Sequence, residues 1–154
     1  LDASGNLLSG DQPTKESFLH RAVYMARKNA GAVIHLHGTH SVALSCLPVA
    51  DPDDALPKLT AYGHIQCGHV AMLPYYRPGD EKLAEAVRQK SHKHWSILLA
   101  HHGPVVAGKT LQSAMYATEE LEQTARLALM LRGADPNTLN AEQIADLDRH
   151  FPPW

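Results

Sequence analysis

The chain has 154 residues, with 14 Lys and Arg against 16 Asp and Glu, a formal net charge of -2, 44% hydrophobic and 19% charged residues. A domain of this size removes roughly 68–70% of the unfolded chain's surface on folding, so a disulfide framework or structural metal is not needed for stability, and the 2 cysteines do not make one. The near-neutral charge without a basic run argues against a nucleic-acid or membrane-surface partner, and no apolar run approaches a membrane span. Two features stand out: 11 histidines, and a first residue, Leu1, that is not methionine. The histidines invite a metal or acid/base reading; the start suggests that something upstream is missing or was removed.

In chain order, Leu1 to Asp11 carries two turn signals around Leu7-Leu8 and reads as the tail of a strand or loop. Residues 13–29 read as a helix, with Thr14 as cap, Pro13 and Glu16 in the first turn, and Phe18, Leu19, Ala22, Val23, Met25 and Ala26 as its buried stripe. The β-branched run Ala32-Val33-Ile34-His35-Leu36-His37 predicts a buried strand ending near Gly38, followed by a short helix from Thr39 to Leu47 and a proline- and aspartate-rich loop from Pro48 to Lys58. Within 60–76 only Val70 to Leu73 carries a strand signal. Asp80 caps a helix to about Lys90. Trp95 to Ala100 predicts another buried strand, broken at His101-His102-Gly103-Pro104, with Val105 to Ala107 returning. Residues 110–132 read as the longest helix, with Met115, Leu121, Leu127 and Leu131 among its apolar positions and Gly133 as its stop, and Ala141 to His150 as a last short one. Alternating helices and strands without repeats make this a layered α/β domain.

His35 and His37, two apart in a strand, present both imidazoles on one face, a geometry suited to chelating Zn²⁺ or a similar divalent ion. The pattern alone is equally met by hydrogen-bonded strand histidines. His101 and His102, at the end of a second buried strand, lie where α/β sheets commonly bind ligands. Glu16 is placed to act as a further ligand or base, or simply as a first-turn glutamate favoured by the helix dipole. His20, one turn after Glu16, is either beside the site or on the helix surface; His40 is a candidate for the same pocket; His92 and His94 read as solvated. His64, His69 and His150 have no spacing argument. Neither cysteine has an evident base partner, and no nucleophile-elbow pattern is present.

The ordered segments Pro13-Thr14-Lys15-Glu16, His20, Ala32 to His37 and Leu98-Leu99-Ala100-His101-His102-Gly103-Pro104 resemble the class II aldolase/adducin family, over about residues 8–131. Further segments, Leu8 to Asp11, Ala43 to Leu47, Leu73 to Asp80 and Gly103 to Val106, look more like the members that decarboxylate 3-oxo-tetronate 4-phosphate than like the aldolases. The resemblance implies a single-domain α/β/α sandwich around a central mixed, mainly antiparallel sheet. It implies His35, His37 and His102 as ligands of Zn²⁺, or of Mn²⁺ or Co²⁺, with Glu16 as acid/base and resting ligand, His101 as a variable neighbour and Tyr62 as a candidate proton donor. The activity implied is a metal-dependent carbon–carbon lyase forming CO₂ and dihydroxyacetone phosphate through a metal-bound enediolate. A sugar-phosphate aldolase and an adducin-like domain without catalysis are the alternatives. The expected substrate is a phosphorylated sugar acid and the expected assembly a cytoplasmic homotetramer with sites at subunit boundaries. The resemblance also implies that residues 1–154 are one family domain whose phosphate-binding portion would precede Leu1.

Overall fold

Four short strands form one sheet in the order β1-β4-β3-β2: β1 (Ala32–His35), β2 (Ala71–Leu73), β3 (Ser96–Leu99) and β4 (Gly103–Gly108). They belong to a computed structural model that describes residues 1–2 and 4–154. β4 runs antiparallel to both β1 and β3, with Ala32 opposite Gly108 and Leu99 opposite Gly103, while β2 and β3 are parallel. The sheet is therefore mixed and mainly antiparallel, as the resemblance implied. One consequence positions everything that follows: β1, β2 and β3 all deliver their C-terminal ends to the edge where β4 begins.

Alternation along the strands fills both faces. Val33, Ala71, Leu73, Ile97, Leu99, Val105 and Ala107 point to one side, against Leu19, Ala22 and Val23 of α1 (Ser17–Ala26) and Leu83 and Val87 of α4 (Glu81–Ser91). Met72, Leu98 and Val106 point to the other, against Leu44 of α2 (Thr39–Ser45), Cys67 of α3 (Ala61–Cys67) and Ala117, Leu121 and Ala125 of α5 (Leu111–Met130). Strands covered on both faces read as continuous apolar runs, which is why β3 was legible. α6 (Ala141–His150) buries no residue and packs on α3. No described helix is long and apolar enough to cross a membrane.

Helix ends follow local chemistry. The Asp80 carboxylate accepts from the Lys82 amide, and Thr110 with Ser113 and Asn140 with Gln143 form reciprocal caps on α5 and α6. α1 starts later than the sequence suggests. The Thr14 hydroxyl accepts from the Glu16 amide at 3.2 Å and its carbonyl from the Ser17 amide at 3.1 Å, so Thr14 closes a turn and Glu16 takes the N-cap position. β1 stops at His35 because Pro104, next in register, has no N–H to extend the ladder. α3 had no signal in the sequence; its inner face is Gly63, His64 and Cys67 rather than a leucine stripe. Met25 and Met115 face outward, and the inner face of α5 consists of Ala114, Ala117, Thr118, Leu121, Thr124 and Ala125.

Leu121 is fully buried between α5 and the sheet. Leu121→Ala is expected to lower unfolding free energy by about 2–5 kcal/mol, measured by urea denaturation of the metal-free protein.

Candidate metal centre

Four side chains converge at the edge where the strands end. Glu16 comes from the N-cap of α1, His35 from the last position of β1, His37 from just beyond it, and His102 from the turn joining β3 to β4. Each offers one donor atom, and these atoms all lie within 4.8 Å of one another. His37 lies past the end of the strand, so the loop rather than strand pleating brings it beside His35. The turn is tight: the His102 amide donates to the Leu99 carbonyl at 3.1 Å, and His101 adopts a left-handed φ of 58°. A Cβ on Gly103 would press into the Leu36 carbonyl, so glycine there allows the turn to approach the His35–His37 segment.

The hydrogen bonding determines which nitrogens are available. His35 Nδ1 lies 2.8 Å from the Pro104 carbonyl oxygen, which can only accept, so the proton sits on Nδ1 and Nε2 carries a free lone pair. That Nε2 is buried without a hydrogen-bond partner and faces Glu16 Oε2 at 3.3 Å, on a side chain 4% exposed. A lone pair set against a carboxylate oxygen in this way is unfavourable unless a proton or a metal cation lies between them. His102 Nε2 stands 2.9 Å from Glu16 Oε1, and the three rings have centroids 4.9–5.2 Å apart. Three nitrogens and a carboxylate are the donor set of a borderline divalent ion, and the residues present fit one.

Burial, together with nearby His35, holds the His102 imidazole below its ordinary pKa, against the opposing pull of Glu16. His20, half-buried on α1, is lowered for the same two leading reasons. Both rings are thus biased to the neutral form, the form that ligates.

The remaining sequence candidates separate clearly. The exposed His101 packs its ring against Tyr75, with centroids 6.1 Å apart. His40 is outside the cluster, with its Nδ1 2.9 Å from Glu122. His94, expected to be solvated, is buried with Nδ1 2.8 Å from the His69 carbonyl, and His64 is buried against Asp148. Tyr62 lies on α3, 68% exposed, in a groove of about 590 Å³ shared with Leu36, Met115 and Tyr116, and is not among the four converging residues. Burial pushes the Cys67 thiol up to about 12, which keeps it protonated and inert. Glu122, in the middle of an amphipathic helix, carried no sequence signal yet reaches across to the segment that follows His37.

A family model described as "Class II Aldolase and Adducin N-terminal domain" matches residues 1–129. The chain belongs to this family. A 3-oxo-tetronate 4-phosphate decarboxylase of Haemophilus influenzae is 42% identical over 148 residues, covering 96% of this chain and 70% of the relative. An L-fuculose phosphate aldolase of Methanocaldococcus jannaschii is 34% identical over 130 residues, covering 84% and 67%. The crystal structure of YgbL from Escherichia coli superposes with a TM-score of 0.91 at 41% identity, covering 94% of this chain and 70% of that one. The family's fold thus accounts for the sheet order and both helical layers.

Between its folded and unfolded pKa values, His102 is protonated in the unfolded chain but not in the folded one, so acid favours unfolding. Metal-free protein is therefore expected to lose stability as pH falls through about 6.5. His102→Ala should flatten that slope in urea titrations between about pH 8 and pH 5.

Proposed function

We propose that the chain is a divalent-metal-dependent carbon–carbon lyase that decarboxylates 3-oxo-tetronate 4-phosphate to dihydroxyacetone phosphate and CO₂. One observation carries the reading: Glu16, His35, His37 and His102 converge with the His35 Nε2 lone pair left free, in a chain 42% identical to a decarboxylase of that substrate. A non-catalytic scaffold has no use for such a donor set. The aldolase relatives stand further away, at 32–34% identity.

In this reading His35, His37 and His102 hold Zn²⁺, Mn²⁺ or Co²⁺ through neutral nitrogens, with Glu16 as the resting fourth donor. The ion supplies a Lewis acid where negative charge develops as the bond to the departing CO₂ breaks. The Pro104 carbonyl keeps the His35 proton on Nδ1, so Nε2 stays a donor throughout. Once released from the ion, Glu16 would take up a proton from water and give it to the carbon that bore the carboxylate, which balances the loss of CO₂ and yields the product's hydroxymethyl group. The carboxyl at the mouth of α1 is 29% exposed, which leaves it access to an entering substrate.

The same proposal includes a homotetramer with sites at subunit boundaries. Tyr62, Met115 and Tyr116 are exposed beside Leu36, the residue between two of the donors, which makes this groove the candidate subunit boundary and Tyr62 the candidate proton donor beside it. A phosphorylated substrate, which does not diffuse across membranes, fits a cytoplasmic setting.

Purified protein is expected to contain about one divalent ion per chain by elemental analysis, and full activity in metal-free protein would refute the metal role. Glu16→Gln is expected to fold normally and to lose turnover by about 10²-fold or more. The assay is release of CO₂ and dihydroxyacetone phosphate from 3-oxo-tetronate 4-phosphate, set beside aldol cleavage of L-fuculose 1-phosphate; cleavage of the sugar without CO₂ release from the acid would replace the decarboxylase reading with the aldolase one.

A further inference from the structure

Three rings form the centre, but they are not held alike. His35 is anchored by the Pro104 carbonyl, and His102 by its turn and by Glu16. Among the described hydrogen bonds and ion pairs the His37 ring has none, and it is exposed. Its position is therefore set by its backbone, which passes through Gly38 directly into α2.

We propose that Glu122 is the positioning residue that fixes this backbone and, through it, His37. From the middle of α5, its Oε1 accepts from the His40 amide at 2.8 Å and its Oε2 from the Ser41 amide at 2.9 Å. The α2 N-cap, Gly38, offers no side-chain cap of its own, so a carboxylate from another helix satisfies two of the free amides of the first turn. Ser41 Oγ donates back to the Gly38 carbonyl at 3.0 Å, which closes the segment on itself. A Cβ on Gly38 would run into the Glu122 carboxylate and Ser41 Oγ, so the residue next to His37 has to be glycine for the clamp to seat. Burial alone would raise the Glu122 carboxyl, but the donors from His40 and Ser41 outweigh it and hold the group below its ordinary value, charged at neutral pH. The clamp fixes the backbone that carries His37, whereas the Pro104 carbonyl holds the His35 ring itself.

The proposal rests on the metal-centre reading, and the test separates the two. Metal-free full-length protein is titrated with Zn²⁺ against a chromophoric chelator, and with Co²⁺ while its visible absorption bands are recorded. Glu122→Gln keeps the shape but turns one acceptor into an NH₂ that faces an amide N–H. It is expected to weaken Zn²⁺ binding by about 10–100-fold and to alter the Co²⁺ bands in protein whose far-ultraviolet dichroism is that of the parent. Gly38→Ala displaces the same carboxylate from the opposite side and is expected to act in the same direction. If the parent itself binds no metal, the metal-centre reading fails and the proposal with it. If the parent binds and both variants hold Zn²⁺ within about twofold of it with unchanged Co²⁺ bands, Glu122 merely staples α2 to α5 and the proposal alone is overturned. Failure of both variants to fold overturns it equally, because the carboxylate would then be supporting the fold rather than His37.

Discussion

The hydrogen bond between His35 Nδ1 and the Pro104 carbonyl joins the architecture to the chemistry. It crosses the β1–β4 pair at the last rung of the ladder, where His35 stands opposite Val105. It also fixes the tautomer of a ring whose other nitrogen must be bare to serve as a ligand. A slip of one residue between these strands would turn His35 to the opposite face and take the carbonyl away from it. Sheet register and ligand geometry are thus one constraint rather than two.

Around that bond the molecule concentrates unfavourable electrostatics at a single edge. Glu16 Oε2 faces the His35 nitrogen, that nitrogen is buried without a hydrogen-bond partner, and His101 takes a backbone conformation that non-glycine residues seldom adopt. The opposing stabilisation lies in two apolar layers, one under α1 and α4 and one under α2, α3 and α5, which include Leu19, Ile97, Leu98, Val106 and Leu121, each at most 1% exposed. Such an edge is tolerated when a well-packed scaffold holds it in place, and it is placed where a cation can relieve it.

Much of this was legible in residue patterns, and the losses have physical causes. The strands were readable because both faces are covered, and α4 because Asp80 caps a regular apolar stripe. The four donors were readable as spacing and as family motifs. α3 was not, since a buried face of glycine, histidine and cysteine has no hydrophobic period. His94 looked solvated within a charged stretch, yet its ring is turned inward onto the His69 carbonyl, a contact 25 residues away in sequence. Glu122 is the sharpest case: it lies 82 residues from His40, and in sequence it is indistinguishable from Glu119 and Glu120 of the same helix.

The small side chains on the inner face of α5 give the domain an uneven capacity for change. Ala114, Ala117 and Ala125 let the helix lie close to the sheet, and any larger residue there would have to displace core atoms. The opposite face, with Leu111, Met115 and Tyr116, can vary without disturbing a strand. One helix thereby separates heritable variation into two channels. The inward channel is closed by volume, while the outward channel, which leads toward the groove beside Leu36, is limited only by what packs against it. A scaffold divided in this way can acquire new substrate preferences while its ligand edge stays where it is.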